Sequence, residues 1–167
     1  MCMMVYIASN SPLPLIDWDE NRHAFYVEEL SDQFQDQLRN KFSKSYLYYV
    51  GAHEGCGCGF SYGKYPLEDD EEPEEEAKES VTRLSQYLAE AVAKHGTIEL
   101  FACWADDESA PPEHRRSITP EDIGGESFWF EEKEFLIIGN KSKSSILLKF
   151  KYFLMKLIKR QTAEMDK

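Results

Sequence analysis

Apolar residues recur along the chain in two spacings, one typical of strands and one typical of helices. Short apolar runs at residues 3–8, 46–50 and 98–104 have the composition of buried strands. Residues 75–95 carry an apolar stripe at helical spacing, and Gly96 is placed to end that helix. The order of strand, helix and strand predicts a βαβ crossover whose two strands are parallel neighbours.

Weaker patterns predict the remaining elements. Ser31 suits the N-cap of a helix that reaches about residue 42, and residues 119–122 have the cap, proline and acidic first turn of a short helix. Apolar runs at 128–130 and 134–138 predict a hairpin. The chain of 167 residues is therefore predicted to form one α/β domain. Its fold would be a small mixed sheet in a single layer, containing a parallel βαβ unit, with flanking helices packed on it.

Charge divides the chain into an acidic body and a basic end. Residues 1–140 hold 11 Lys and Arg against 29 Asp and Glu, a net charge of −18, whereas residues 141–167 hold 8 against 2, a net charge of +6. The acidic body should repel phosphate, so we expect no nucleic acid partner. The acidic run at 68–76 is expected to be a solvated loop.

The basic end, residues 142–167, predicts an amphipathic C-terminal helix that docks on the acidic body. A helix of this composition could instead bind a protein partner or lie on a membrane surface. No apolar run approaches the roughly 20 residues of a membrane-spanning helix. The first 15 residues lack the positive charge of a secretory signal. These observations predict a cytoplasmic protein, in which cysteines are expected to be thiols, metal ligands or redox groups.

Glycine and cysteine are concentrated in one short segment that follows the second predicted strand. Five of the nine glycines fall within residues 51–63, and the sequence Gly-Cys-Gly-Cys-Gly places Cys56 and Cys58 between three of them. On an extended backbone, residues two apart point to the same side, so both thiols could face one point. Two thiolates would supply half of a tetrahedral zinc site.

The other zinc ligands would come from elsewhere in the chain. The candidates are Cys103, Cys2, His53, Glu54 and His114. Cys103 lies near the end of the third predicted strand, and the ends of parallel strands meet at the sheet edge where ligands usually bind. Cys2 reaches that edge only if the first strand runs antiparallel. The predicted metal site therefore consists of Cys56, Cys58 and Cys103, completed by His53 or Cys2, with zinc as the candidate cofactor.

Two other functions fit the same residues. The cysteines could simply pack, in a non-catalytic module that contacts a protein partner through its basic end. A disulfide between Cys56 and Cys58 would close a small, strained ring, which is typical of labile or redox-active disulfides. The sequence assigns no catalytic residue.

Overall fold

The computed structural model contains a six-stranded mixed sheet with helices on both faces. It describes residues 2–19, 24–63, 75–125 and 127–140. This architecture confirms the predicted α/β class. The strands are β1 (Met3–Ser9), β2 (Phe25–Glu29), β3 (Tyr46–Ala52), β4 (Ile98–Trp104), β5 (His114–Ile118) and β6 (Glu134–Ile138). The helices are α1 (Asp32–Leu38), α2 (Glu75–His95) and α3 (Pro120–Ile123). The strand order in the sheet is β2-β3-β1-β4-β6-β5.

Strand β1 lies between the two strands that the sequence predicted to be neighbours. It pairs antiparallel with β3 on one side and with β4 on the other. β3 and β4 therefore run parallel, as predicted, but the prediction that they are adjacent is wrong. Helix α2 still connects them in the chain, and its crossover spans the intervening strand. Within the described residues, the adjacent strands that pair in parallel are β5 and β6.

The predicted hairpin between residues 128–130 and 134–138 does not form. β6 pairs with β4 and β5 instead, while Phe128 forms an isolated antiparallel bridge with Tyr62. β5 is a strand that the sequence did not predict. It is a polar edge strand, and four of its five residues are exposed, so no apolar pattern marks it.

The core has one layer on each face of the sheet. On the first face, the apolar stripe of α2, which includes Val81, Leu84 and Leu88, packs against alternate residues of the strands. On the second face, Leu38 of α1 and the following Phe42 cover the other strand residues. Thr119 forms a capping box with Asp122 at the start of α3, which confirms that short helix.

Two regions of the sequence lie outside the described residues. The predicted C-terminal helix at 142–167 falls wholly there, as does most of the acidic run at 68–76, so both stay predictions. In the ranges that the structure does describe, no helix combines the length and the apolar character needed to cross a bilayer.

The packing of α2 predicts a strong effect of Leu88→Ala. Leu88 is fully buried, and its truncation leaves a cavity under the helix, so we expect unfolding free energy to fall by about 2–5 kcal/mol. Urea unfolding followed by circular dichroism measures this loss. The matched control is Arg83→Ala on the exposed face, which removes only an ion pair with Glu79 and should cost less than about 0.5 kcal/mol. Equal losses in the two variants would contradict the assigned face of α2.

Candidate metal centre

The glycine-cysteine loop lies at the edge of the sheet where β3 and β4 end and β1 begins. The backbone N–H of Ala52 donates to the carbonyl of Cys56 at 3.1 Å, so the chain turns back immediately after β3. A 3₁₀ turn at Gly57–Gly59 follows. Because β1 runs antiparallel to both neighbours, its first residues reach this same edge, and the Cys2 thiol bonds to the Cys56 thiol of the loop.

Two glycines are required by the path of this loop. Gly55 has φ of +77°, a left-handed conformation that other residues adopt only with strain. Gly57 packs directly against β1: a Cβ atom there would lie 2.5 Å from Cγ2 of Val5 and 2.9 Å from the carbonyl oxygen of Met3. The backbone of the loop can therefore approach β1 closely enough to place the two thiols at its end.

Three potential metal ligands converge on this loop. One carboxylate oxygen of Glu54 and the Sγ atoms of Cys56 and Cys58 all lie within 4.8 Å of one another. In a tetrahedral zinc site with Zn–S bonds of about 2.3 Å, neighbouring sulfur atoms are ~3.8 Å apart. The three donors thus need only small movements to share one ion. Among the described residues, these three donors form the group that could hold a metal ion.

Hydrogen bonds and burial distinguish the two loop thiols. The backbone N–H of Met3 donates to Sγ of Cys58 at 3.1 Å, which fixes that sulfur beside the start of β1. Cys56 is buried, and burial is the main cause that raises its thiol pKa to about 12. A hydrogen bond from the backbone of Cys58 lowers that pKa in part, while the Cys58 and Cys2 thiols, which both bond to Cys56, raise it. Without a cation nearby, Cys56 is therefore a neutral thiol at physiological pH.

His53 is directed towards α2 rather than into the group of three donors. Its backbone N–H and its Nδ1 lie 3.3 Å and 3.0 Å from Oγ of Ser80, and that hydroxyl donates to the carbonyl of Glu76 at 2.9 Å. Because the hydroxyl has one hydrogen, which it donates to Glu76, Nδ1 acts as the donor to it. In this structure, His53 ties the loop to α2.

Cys103 belongs to the core on the second face of the sheet. It is fully buried beside Tyr6 and Phe101, whereas Cys58 packs against the core on the first face. Burial raises the pKa of the Cys103 thiol to about 12, and the nearby carboxylates of Glu108 and Asp107 add to this effect. The structure therefore does not bring Cys103 into the group of converging donors, although the sequence favoured it as the third ligand.

The acidic residues that follow β4 make other contacts. Glu108 is buried and accepts a hydrogen bond from the Tyr6 hydroxyl at 3.1 Å. Asp107 lies 3.7 Å from the ammonium group of Lys133. Neither joins the donors of the loop, and His114 lies in the edge strand β5.

Glu54 is one of the three converging donors. The predicted ligand set, which consisted of cysteines and His53, did not include it. A signal for it exists in the sequence, since Glu54, Cys56 and Cys58 follow one another at a spacing of two residues. A carboxylate is an ordinary zinc ligand alongside thiolates, so Glu54 extends the predicted chemistry without changing it.

The chemistry of the site follows from its own donors. Comparisons with protein-family models, with curated proteins and with solved structures found no match to this chain. Thiolate ligands favour zinc, copper(I) and iron over magnesium and calcium, which prefer oxygen. A metal ion held here would thus be a thiophilic one.

The close approach of the loop to β1 predicts that Gly57→Ala disturbs the site. The added methyl group would meet Val5 and the backbone of Met3, so we expect a loss of about 1–3 kcal/mol and faster reaction of Cys56 with a thiol reagent. Chemical unfolding and Ellman's reagent measure the two effects. Gly125→Ala is the control, because its nearest neighbour would be 3.7 Å away. An unchanged Cys56 reaction rate in Gly57→Ala would contradict the proposed packing.

Proposed function

We propose that this protein binds one zinc ion through Glu54, Cys56, Cys58 and Cys2. The observation that carries this proposal is the convergence of a carboxylate and two thiols within 4.8 Å on a single loop. A loop held this close to a neighbouring strand loses little conformational entropy when it binds an ion. Zinc accepts this mixture of sulfur and oxygen ligands in tetrahedral geometry.

Cys2 is the fourth ligand in this proposal. Its thiol forms a hydrogen bond with the Cys56 thiol, and its backbone carbonyl accepts from the N–H of Ala105 at 2.9 Å. The backbone of Cys2 is thus fixed beside the end of β4, and its exposed side chain lies against the loop. Three thiolates and one carboxylate would complete the tetrahedron.

The electrostatics of the loop favour a cation over a reactive thiolate. Residues 51–63 contain no Lys or Arg, and burial keeps Cys56 protonated. Thiol–disulfide exchange requires a thiolate, which such a site does not stabilise by itself. A divalent ion would supply the missing positive charge and displace the thiol protons.

Thiol–disulfide exchange is the second candidate function, and it is favoured by one observation. The Sγ atoms of Cys56 and Cys58 are close enough for a small movement to join them. Oxidation would remove two zinc ligands at once, so the disulfide and the zinc complex exclude each other. This exclusion makes the two functions separable by experiment.

Metal loading of the purified full chain tests the proposal. We expect one zinc per chain by elemental analysis, and a thiolate-to-metal charge-transfer band when cobalt(II) replaces zinc. Cys56→Ser and Cys58→Ser should each weaken binding by at least ~100-fold, since each removes a direct ligand. Cys103→Ala is the matched control and should bind zinc as the unaltered chain does.

The outcomes of metal loading separate the candidate functions. No bound metal together with a reversible Cys56–Cys58 disulfide would replace the zinc proposal with thiol–disulfide exchange. No metal and no disulfide would leave cysteines that only pack, as expected for an interaction module. Loss of zinc in Cys103→Ala would overturn the ligand set.

The raised pKa of Cys56 predicts a steep pH dependence of zinc affinity. Between pH 6 and pH 8 its thiol is protonated, because its pKa is about 12, so zinc must displace that proton. Affinity should therefore rise about tenfold per pH unit from Cys56 alone. Competition titrations with a chelator measure the slope. In Cys56→Ser, the slope of log affinity against pH should be lower by about one. An unchanged slope would show that Cys56 is not a ligand.

A further inference from the structure

A second site is an open cavity of about 580 Å³ between β5 and residues 127–131. This volume is within the range of ordinary ligand pockets, roughly 300–1,000 Å³. His114, Arg116 and Ile118 alternate along β5, so their side chains share one side of the strand and line the cavity. Phe128 and Trp129 line it from the following segment.

The lining of this cavity is acidic. It contains the carboxylates of Glu113, Asp122, Glu131 and Glu134 against two arginines, a formal charge of −2. Both guanidinium groups are engaged. Arg116 forms a two-pronged ion pair with the buried carboxylate of Glu134, and Arg115 lies 4.4 Å from the centre of the Phe135 ring. An anionic ligand is therefore disfavoured here.

Glu131 and Trp129 form the part of the cavity that is best suited to a cation. The indole N–H of Trp129 donates to the Glu131 carboxylate at 2.9 Å, which fixes the ring beside a negative charge. No Lys or Arg of the described residues forms an ion pair with Glu131. An aromatic face next to such a carboxylate attracts ammonium and guanidinium groups.

We propose that this cavity binds the basic segment 141–160 of the same chain. That segment has seven Lys and Arg, no Asp or Glu, and many large apolar residues, and it lies outside the described residues. Its charge complements the cavity, and its apolar side chains suit the walls formed by Ile118 and Phe128. The proposal does not depend on metal binding.

The described part of the chain ends close to the cavity, one residue before this segment begins. The N–H of Gly139 donates to the carbonyl of Ile118 at 3.1 Å, so the chain leaves β6 at the rim. An extended residue spans ~3.3–3.6 Å, which puts Lys141 and Lys143 within about 15 Å of that point. Tethering at this distance gives an effective concentration on the order of millimolar, which makes even weak contacts effective.

The indole N–H of Trp129 reports on this contact in the full chain. We would record ¹⁵N–¹H spectra of the unaltered protein and of a variant carrying Lys141→Gln, Lys143→Gln and Lys149→Gln. We expect the Trp129 resonance of the variant to differ in chemical shift from that of the unaltered protein at about 0.05 M salt. The two resonances should nearly coincide at about 0.5 M salt, where the contact is screened in both proteins. Trp18 and Trp104 supply reference resonances that should not move.

A matched control carries Lys78→Gln, Arg83→Gln and Lys94→Gln on the exposed face of α2, which changes the net charge equally. This control should leave Trp129 unchanged, and Glu131→Gln should remove the effect of the tail substitutions. An unmoved Trp129 in the tail variant would overturn the proposal. A shift that disappears on dilution would overturn it in favour of a second copy as occupant. If the Trp129 resonance does not move in the tail variant, but that variant no longer binds phosphatidylserine vesicles that the unaltered protein binds, the proposal is overturned in favour of a membrane surface.

Discussion

The antiparallel insertion of β1 between β3 and β4 determines where the other parts of the molecule lie. It makes β1 a central strand, which is hydrogen-bonded to a neighbouring strand on each side. It also turns the first residues of the chain towards the edge at which β3 ends. The loop after β3 then packs its backbone onto β1 at Gly57, where a side chain would collide with Met3 and Val5. Cys2 and the loop, which are about 50 residues apart in the sequence, meet at this edge for that reason.

The two faces of the sheet separate cysteines that look equivalent in sequence. Cys58 contacts the core beneath α2, while Cys103 is enclosed on the opposite face among aromatic rings. In a strand, neighbouring residues point to opposite faces, so a shift of one residue decides which core a thiol joins. Cys103 shares the sheet edge with the loop but not its surroundings. Position along a strand alone therefore did not identify a ligand.

Local patterns predicted the elements that bury a regular apolar face. The bounds of α2 and β4 were predicted well because their periodicity is strong and Gly96 ends the helix clearly. The sequence could not order the strands, since the insertion of β1 depends on long-range pairing. It also missed β5, whose exposed polar residues carry no strand pattern. For the site, spacing predicted that the thiols of Cys56 and Cys58 face one point, and the structure brings Glu54 to them. The sequence named Glu54 only as one of five candidates, since no pattern shows which of the five reaches the loop thiols.

The bonds of Ser80 join the loop and α2 into one cooperative unit. Its hydroxyl accepts from His53 and donates to the carbonyl of Glu76, so a single buried group spans the two elements. The loop cannot swing away from the sheet without leaving this hydroxyl partly unsatisfied in the interior. Local opening of the loop is therefore linked to fraying of the first turns of α2. The rate at which an ion enters or leaves would then be governed by the stability of a helix that supplies none of its ligands.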